Sequence, residues 1–337
     1  LGSRAAAVDG DGSQATDLYY AVYDETIGEI VKPISVNDND VNTTKKETIS
    51  VGTAKTIELP LLNGHKYSLI FWAENTACPY TVNWEEKTIA LDANATLKSN
   101  QEVYDAFYAY VEPFVVTGHK TENVYLYRPF AQLNIATSEG DLDRVVKYYG
   151  LDEITSTKIV VTTPTAMDLT TGNAYDEKEL TYTMEAFAAL NPKDDLFPAT
   201  VDPAIDEDYQ AISLNYLLVS AEKQLVDIKM SCDSGSELDK EFKNVPVQRN
   251  YRTNIYGNLY TSSTEWKVEI KPEFDGSYTP ADQLAAVFEE GGEVTLYTDV
   301  ELTGLLTLKE GKEVTINLNG NTITRPVQTD SNGNTSC

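Results

Sequence analysis

Residues 266–271 read Trp266-Lys267-Val268-Glu269-Ile270-Lys271, an order in which apolar and charged side chains alternate strictly. Successive side chains of a β-strand point to opposite faces of the sheet, so this order predicts a strand with one face toward a core and one toward water. Just before it, residues 254–260 are rich in aromatic and aliphatic side chains and predict a further strand. This part of the sequence therefore indicates β-sheet structure.

Similar strand signals recur along the chain between short clusters of Gly, Asn, Asp and Pro. Such spacing favours an all-β sandwich or barrel over alternating strands and helices. Residues 56–61 and 67–72 are expected to form a hairpin because Asn63-Gly64 stands between them. The other predicted strands are 18–23, 81–83, 105–116, 124–136, 158–163, 179–187, 211–220 and 225–230.

Two helices interrupt this pattern. The first is predicted to begin after Ser138 as N-cap and to end at Gly150. Its apolar stripe consists of Leu142, Val145, Val146 and Tyr149. The second has Thr279 as N-cap and Pro280 at its first position, followed by Leu284, Val287 and Phe288 as its apolar stripe.

A short repeat follows the second helix. Gly291-Gly292-Glu293-Val294-Thr295-Leu296 returns twenty residues later as Gly311-Lys312-Glu313-Val314-Thr315-Ile316. Two strand units at this spacing predict the first turns of a parallel β-helix, capped by the second helix, although an ordinary hairpin pair stays open. In the β-helix the inward side chains would be Val314, Ile316 and Leu318, and the outward ones Thr315, Asn317 and Asn319.

The length of 337 residues allows two or three domains. We predict a flexible tail over residues 1–17, a β-sandwich over 18–136, a second β-sandwich over 137–272 and a helix-capped β-helix start over 273–337. The last residues, 332–337, have the composition of a loop, so we expect that more protein follows Cys337.

The charge balance limits the possible partners. The chain has 26 Lys and Arg against 53 Asp and Glu, a formal net charge of −27. This charge would repel phosphate backbones and anionic headgroups, so we expect neither a nucleic-acid nor a membrane-surface partner. No apolar run reaches the roughly 20 residues that span a bilayer. Many Thr, Asn and Tyr with only 2 His fit an extracellular protein whose export signal was removed earlier.

The three cysteines, Cys78, Cys232 and Cys337, match no zinc or redox spacing. A disulfide between Cys78 and Cys232 is one option in an oxidising compartment. Two separate buried thiols are the favoured option, because the two residues fall in different predicted domains.

Two stretches carry a further signal: Arg128-Pro129-Phe130-Ala131-Gln132-Leu133-Asn134 and Val245-Pro246-Val247-Gln248-Arg249-Asn250-Tyr251-Arg252-Thr253-Asn254-Ile255-Tyr256-Gly257-Asn258-Leu259-Tyr260-Thr261. Both resemble segments of fimbrillin-like surface proteins, the Mfa-like proteins of type V pili from Gram-negative gut and oral anaerobes. Residues 69–73 and 105–108 resemble the same family. The resemblance covers roughly residues 15–272. The repeat beyond is similar to the start of a pectin-lyase-like β-helix.

This resemblance implies two tandem transthyretin-like β-sandwich domains, export as an outer-membrane lipoprotein precursor and assembly into pili by strand exchange. A sandwich that lacks one strand exposes a groove that an extended segment of a neighbour can fill. Chains joined head to tail in this way form open filaments. The β-helix start departs from a plain stalk subunit and favours an accessory, tip or stand-alone adhesin.

The resemblance also marks individual residues. Arg128 and Arg249 are expected to have structural roles, because a guanidinium can fork to carbonyls or carboxylates. Arg4-Ala5 matches the bond cut by the trypsin-like processing used in this family, or it is simply an Arg in a flexible terminus. The family-type structural residues are Arg128, Pro129, Phe130, Gln132, Asn134, Arg249, Asn250, Tyr251, Arg252, Thr253, Asn254, Gly257 and Asn258.

No residues suggest a catalytic centre. The only histidines, His65 and His119, are predicted to lie in exposed turns, so no nucleophilic triad can be assembled. Asp299 and Glu301 are the candidate carboxylate pair for glycoside chemistry, with a solvated turn as the alternative. Asp9, Asp11 and Asp17 are similar to a calcium loop but lack its closing Glu, and a flexible acidic tail is favoured. We therefore predict no enzymatic activity, no cofactor and no metal.

The tryptophans are the candidates for sugar stacking. Trp72 and Trp266 lie in apolar or alternating strands and are predicted to be core residues, which leaves Trp84 as the weak candidate for ligand binding. We predict a structural and adhesive surface subunit whose partners are other pilus subunits or its own copies, and surface glycans or proteins. The alternatives are the stem of a polysaccharide-degrading surface lipoprotein and a passive sugar-binding lipoprotein.

Overall fold

A computed structural model of the chain describes residues 10–35, 49–50, 53–121, 124–185, 187–189, 209–261 and 266–271, and then 284–285, 288, 292–295, 300–302, 305–318, 322–325, 328–329 and 335–336. The chain divides into two units, Leu1–Lys271 and Pro272–Cys337. This division lies beside the predicted boundary at residue 272. Among the described residues, strands are the main secondary structure of both units.

The first unit contains fifteen described strands, which have these bounds in chain order: β1 (Asp17–Asp24), β2 (Glu29–Ser35), β3 (Lys66–Glu74), β4 (Tyr80–Asn83), β5 (Thr88–Leu91), β6 (Phe107–Val115), β7 (Phe130–Ser138), β8 (Thr157–Asp168), β9 (Ala174–Met184), β10 (Ala188–Ala189), β11 (Tyr209–Leu218), β12 (Gln224–Cys232), β13 (Lys240–Val247), β14 (Arg252–Gly257) and β15 (Trp266–Lys271). Of these, β2, β5, β10 and β13 had no counterpart among the predicted strands.

Strand β1 lies inside a four-stranded antiparallel sheet of the order β2-β1-β3-β6. It pairs along its whole length with β3, from Asp17 opposite Glu74 to Asp24 opposite Tyr67. Its Leu18, Tyr20 and Val22 are buried in one apolar cluster with residues of β3. The first described strand is therefore an internal, core-forming strand of this sheet.

The predicted hairpin before β3 is wrong. Residues 56–61 form no strand, and β3 pairs instead with β1 and β6. Ile57, Leu59 and Leu61 pack against the apolar cluster of the sheet. The apolar side chains of this segment are thus half-buried although the segment belongs to no strand.

Two further sheets pack face to face as a sandwich. One has the order β10-β11-β7-β14-β15, and the other has the order β13-β12-β8-β5-β4 with β9 also paired to β8. Their shared core contains Leu133 and Ile135 of β7, Ile159 of β8 and Ile228 of β12. Burial of these aliphatic side chains is the main favourable contribution to the stability of the sandwich.

The predicted division at residue 136 does not match the sheets. Strand β7 pairs with β11 and β14, so the boundary cuts through a strand of the sandwich. The hairpin β4–β5 also belongs to the sandwich, because β5 pairs with β8. The prediction took the helix after Ser138 as the start of a second domain, whereas strands on both sides of that helix belong to the same sandwich.

The predicted first helix is present as α1 (Glu139–Arg144), and Ser138 caps it as expected by accepting a hydrogen bond from the Asp141 N–H at 3.0 Å. A π-helical turn follows, and the chain leaves it at Gly150 in the left-handed conformation, with φ of 66°. Val145 is fully buried, but Val146 and Tyr149 are exposed. The wider π-turn changes the angular spacing of residues, so the predicted apolar stripe is only partly right.

The apolar face of β15 is only partly covered. Val268 is 36% exposed, although its alternation with charged residues predicted a core position. The reason is that β15 is an edge strand of its sheet, paired only with β14 among the described strands. The side chain of Trp266 lies outside the described residues.

The second unit contains the strands β16 (Gly292–Thr295), β17 (Val300–Glu301), β18 (Val314–Asn317), β19 (Ile323–Thr324), β20 (Gln328–Thr329) and β21 (Thr335–Ser336). Strand β16 pairs with β18 and β17 with β19, both in parallel, which rules out the hairpin alternative. Val294 lies opposite Ile316 and Val300 opposite Ile323, offsets of 22 and 23 residues. The offset between paired residues is thus two or three residues longer than the twenty-residue spacing of the sequence repeat.

The second unit has its own small core. Leu284 and Val300 are buried, and Ile316 packs against them as predicted. Residues 284–285 and 288 are helical, while Thr279, Pro280, Val287 and Asn319 lie outside the described residues. Leu318 was expected to point inward but is 46% exposed, because it follows the last residue of β18 and leaves the strand alternation.

Candidate functional site

The two family-type segments lie side by side in the structure. Strands β7 and β14 run parallel, with Gln132 opposite Arg252 and Asn134 opposite Asn254. Asn134 and Asn254 are separated by 120 positions in the sequence. The resemblance therefore falls on one structural element, a parallel strand pair in the middle of the five-stranded sheet.

Buried amides connect this strand pair. The Asn134 Nδ2 group donates to Gln132 Oε1 at 3.2 Å and to Asn254 Oδ1 at 2.9 Å. All three side chains are fully buried. A buried amide without a partner is costly, so these mutual hydrogen bonds favour this register of β7 against β14 over shifted ones.

Arg128, just before β7, forms a buried fork with a carboxylate. Its Nε donates to Asp105 Oδ1 at 2.6 Å and its Nη2 to Asp105 Oδ2 at 2.7 Å. The Nη2 group also donates to the Gly10 carbonyl at 2.7 Å. Burial alone lowers the pKa of Arg128, but the Asp105 carboxylate outweighs burial and holds that pKa above its usual value, so the guanidinium stays charged.

Glu102 lies beside this ion pair. Its Oε2 accepts from the Gly10 N–H at 3.3 Å, and its Oε1 is 3.2 Å from the Tyr216 hydroxyl. Burial, followed by the negative charge of Asp105, raises the pKa of Glu102 to about 7. We call Glu102, Asp105 and Arg128 the Gly10 clamp, because Glu102 and Arg128 together hold both main-chain polar groups of Gly10.

The second family-type segment also anchors helix α1. The buried carboxylate of Asp141 accepts from the Thr137 hydroxyl at 2.7 Å, the Tyr260 N–H at 2.8 Å and the Thr261 N–H at 3.0 Å. The Thr137 hydroxyl is 3.1 Å from the Gly257 carbonyl. Gly257 has φ of 144°, a conformation that favours glycine. The loop after β14 is thus fixed to the end of β7.

Arg249, in the loop before β14, contacts strand β6 and two other loops. Its Nη1 donates to the Tyr108 hydroxyl at 3.1 Å, and its Nη2 donates to the carbonyls of Gly172 at 2.6 Å and Val219 at 2.9 Å. A Cβ atom on Gly172 would lie 2.9 Å from Arg249 Nη1, and Gly172 has φ of +70°, so this position accepts little besides glycine. These contacts support the structural role expected for Arg249.

The remaining family-type residues surround the strand pair. Asn250 is left-handed, with φ of 61°, and its N–H donates to the Phe130 carbonyl at 2.8 Å. Ser138 Oγ lies 2.7 Å from Asn258 Oδ1. Buried members of the set are Pro129, Phe130, Tyr251, Arg252 and Thr253. Arg4 lies outside the described residues.

Trp84 lies at the turn between β4 and β5 and lines an open groove of about 620 Å³ together with Ile30, Val82, Asn83 and Glu85. The indole is half-buried, and the Trp84 carbonyl accepts from the Tyr23 hydroxyl at 2.7 Å, which fixes the turn. The groove combines an aromatic ring with neighbouring exposed polar side chains. Trp72, in contrast, is fully buried in β3 as predicted.

The other candidate groups are separate from one another. His65 is not a free turn residue, because its Nδ1 lies 2.7 Å from the buried carboxylate of Asp24, while His119 is exposed. Cys78 and Cys232 are half-buried thiols that are not joined in a disulfide. Asp11 accepts from the Ser13 N–H. Asp9, Asp299 and the Glu301 side chain lie outside the described residues.

Within the described part of the chain, no group of three or more His, Cys, Asp or Glu side chains is placed to hold a metal ion. In the same residues, no helix is long and apolar enough to cross a membrane.

The sequence missed the acidic half of the Gly10 clamp. Asp105 lies in a family-like stretch but had no assigned partner, and Glu102 and Tyr216 were not considered. The available signal was the expectation that the Arg128 guanidinium forks to carbonyls or carboxylates, since a structural guanidinium needs such partners. The partners come from distant segments, so spacing along the chain could not identify them.

The fold and site define an all-β protein whose family-type residues form a buried polar framework. The chain belongs to the family of unknown function DUF6562, whose model matches residues 4–317. No functionally curated protein matches the chain.

Three solved structures are similar over most of their length. A candidate adhesin from Bacteroides thetaiotaomicron shares 12% identity and a TM-score of 0.48, with 78% of this chain and 90% of that chain covered. The fimbrial anchor protein Mfa2 from Porphyromonas gingivalis shares 9% identity and a TM-score of 0.44, with 77% and 89% covered. The tip fimbrial protein Mfa3 from the same organism, truncated at its C-terminus, shares 13% identity and a TM-score of 0.39, with 79% and 97% covered.

Proposed function

We propose that this chain is an adhesive cell-surface subunit, an accessory or tip protein of a fimbrillin-like pilus, that joins other subunits by β-strand exchange. The observation that carries the proposal is the position of β1. This first described strand lies between β2 and β3 and contributes Leu18, Tyr20 and Val22 to the core. Its removal would open a groove with unpaired main-chain groups on both sides and apolar cavities between them.

Deletion of residues 1–24 tests strand exchange. The truncated protein is expected to bind a peptide of residues 17–24, with an increase in melting temperature, because the peptide restores both ladders and the buried side chains. A peptide with Tyr20→Asp is the matched control and should not bind. A truncated protein that stays folded and monomeric and ignores every alternating apolar peptide would contradict the mechanism.

The groove at Trp84 favours a second part of the function, binding of a surface glycan. A sugar ring can stack on the indole while its hydroxyls reach Asn83 and Glu85. The formal charge of −27 favours a neutral over an acidic glycan. Binding of neutral glycans on an array should be lost in Trp84→Ala and kept in Tyr148→Ala, an exposed aromatic elsewhere. Equal binding by wild type and Trp84→Ala would exclude this site.

The second unit is proposed to begin a β-helix that displays the adhesive surface. Two successive parallel pairs with offsets of 22 and 23 residues support this proposal. In this account the protein is exported as an outer-membrane lipoprotein and is not an enzyme. Lyase or hydrolase turnover on polysaccharides that is lost on changing Asp299 or Glu301 would instead favour the enzyme-stem alternative.

A further inference from the structure

The turn that carries Trp84 is held by the first described strand. Tyr23, near the end of β1, donates its hydroxyl to the Trp84 carbonyl at 2.7 Å. The Tyr23 side chain is 3% exposed, so this hydrogen bond lies in the interior of the protein. It connects the four-stranded sheet, which contains β1, to the β4–β5 turn of the sandwich.

A lysine of the same turn also contacts the end of β1. The Lys87 Nζ lies 4.2 Å from the centre of the Tyr23 ring and 3.3 Å from Glu25 Oε1. Ser68 of β3 donates to the same carboxylate oxygen of Glu25. The turn is therefore attached to the four-stranded sheet through Tyr23 and through Glu25.

Other hydrogen bonds of the turn come from the sandwich itself. The Glu86 N–H donates to Asn83 Oδ1 at 3.1 Å, and the Leu169 N–H donates to the Lys87 carbonyl at 2.8 Å. Neither of these hydrogen bonds involves Trp84. The hydrogen bond from Tyr23 thus fixes the main chain of the residue whose indole lines the groove.

The two faces of β1 place different demands on a replacement strand. The main-chain ladder requires no particular side chain, and the apolar cluster around Leu18, Tyr20 and Val22 requires only apolar ones. Tyr23 lies on the opposite face by strand alternation, and its contact with Trp84 requires a hydroxyl at that distance. A foreign strand can therefore complete the sheet without restoring the contact to the groove.

We propose that Tyr23 positions Trp84, so that the strand in the place of β1 sets the affinity of the groove for its ligand. This inference rests on the proposed strand exchange and glycan binding. A chain with its own β1 has a fixed Trp84 turn, whereas a replacement strand without this tyrosine leaves the turn looser and the ligand more weakly bound. Because coupling between two sites is reciprocal, a bound ligand also favours strands that carry the tyrosine.

Tyr23→Phe in the full chain tests the positioning. The variant keeps the buried ring but lacks the hydroxyl, so hydrogen exchange of residues 83–87 should become about three- to tenfold faster, the factor expected for one hydrogen bond. Binding of neutral glycans on the array should weaken by a similar factor, while protection of β2 and β3 stays unchanged. Tyr20→Phe is the matched control, because Tyr20 is also a buried tyrosine of β1 but faces the apolar cluster.

The outcomes in the full chain separate the inference from the glycan site. Wild-type exchange of residues 83–87 in Tyr23→Phe would overturn the positioning, whether or not a glycan binds. Faster exchange with unchanged glycan binding would overturn the effect on affinity. If the wild type binds no glycan, the effect on affinity falls together with the proposed glycan site, and faster exchange would still support the positioning of Trp84.

The protein lacking residues 1–24 separates the inference from strand exchange. The peptide of residues 17–24 and its Tyr23→Phe form should both restore protection of β2 and β3, but only the first should slow exchange of residues 83–87. Equal slowing by both peptides would overturn the proposal. If neither peptide binds, strand exchange is contradicted, and Tyr23→Phe in the full chain still decides whether Tyr23 positions the turn.

Discussion

The β7–β14 pair of the first unit and the β16–β18 pair of the second are both parallel, and they are held in different ways. The β7–β14 pair joins segments 120 positions apart through buried amides and is flanked by the buried ion pair of Arg128. The β16–β18 pair joins strands only 22 positions apart beside a small aliphatic core. A buried amide requires a particular partner, whereas an aliphatic core requires mainly the right volume. The first pair should therefore be destabilised by changes in side-chain chemistry, and the second only by changes in side-chain size.

Asp105→Ala is expected to have the largest effect, because it leaves the Arg128 guanidinium buried without its carboxylate. Breaking a buried ion pair from one side costs about 3–5 kcal/mol in the free energy of unfolding. Denaturant melts measure this value. Lys178→Ala is the control, since Lys178 is 60% exposed and its ion pair with Asp176 should contribute less than about 1 kcal/mol. A loss below about 1 kcal/mol for Asp105→Ala would mean that the clamp does not stabilise the fold.

Asn134→Leu should cost about 2 kcal/mol or more, because it removes two hydrogen bonds and leaves the carbonyls of Gln132 and Asn254 without this donor. The shape-conserving change in the other pair, Ile316→Leu, should cost less than about 1.5 kcal/mol. Chemical denaturation of both variants sharpens the comparison. Equal losses at the two positions would show that the two pairs are not held differently.

Ile316→Ala should destabilise the second unit by about 1–2 kcal/mol, less than a fully buried aliphatic residue, because Ile316 is half-buried. The measurement is hydrogen exchange of β16 and β18. Thr315→Ala, at the exposed neighbouring position, serves as the control and should leave exchange unchanged. If exchange of β16 is the same in both variants, the aliphatic cluster does not hold this pair.

Acid should weaken the end of β1 by a smaller amount. Burial alone raises the pKa of Asp24, but its hydrogen bonds from His65 and the Thr26 N–H outweigh burial and hold that pKa below its usual value. The folded state thus binds the proton less tightly, so this stabilisation is present above the usual carboxyl pKa of roughly 4 and is lost as the pH falls through the folded value.

Melting temperatures between about pH 6 and about pH 3 measure this loss. Asp24→Asn should show a flatter profile than the wild type, and Glu85→Gln, at an exposed turn, should retain the wild-type profile. A wild-type slope that persists in Asp24→Asn would show that other carboxylates control acid stability in this region.

The sequence predicted local features well. The alternation in residues 266–271, the Ser138 cap and Gly150 all correspond to observed structure, because each depends on only a few neighbouring residues. Parallel strands were expected from the repeat and are present, although the offset differs. The predictions that failed are those that required knowledge of partners, such as the hairpin at residues 56–61 and the boundary inside β7.

The candidate site shows the same limit. The resemblance identified Arg128, Asn134 and Asn254 as important, but only the structure brings them together with Asp105, Glu102 and Gly10. A buried charged side chain indicates that an oppositely charged partner exists, but it does not identify the position of that partner in the sequence. Pairings across 118 and 120 positions depend on the crossing of the chain between sheets, which no local pattern encodes.

The central claim, that β1 can be exchanged for a strand of another chain, is tested most directly by amide exchange in β2 and β3. In the protein lacking residues 1–24, these strands should lose protection, because β1 pairs with both of them. Addition or co-refolding of the peptide of residues 17–24 should restore protection in both strands, and the Tyr20→Asp peptide should restore neither. Protection that is unchanged by the deletion, or that no alternating apolar peptide restores, would contradict the proposed assembly.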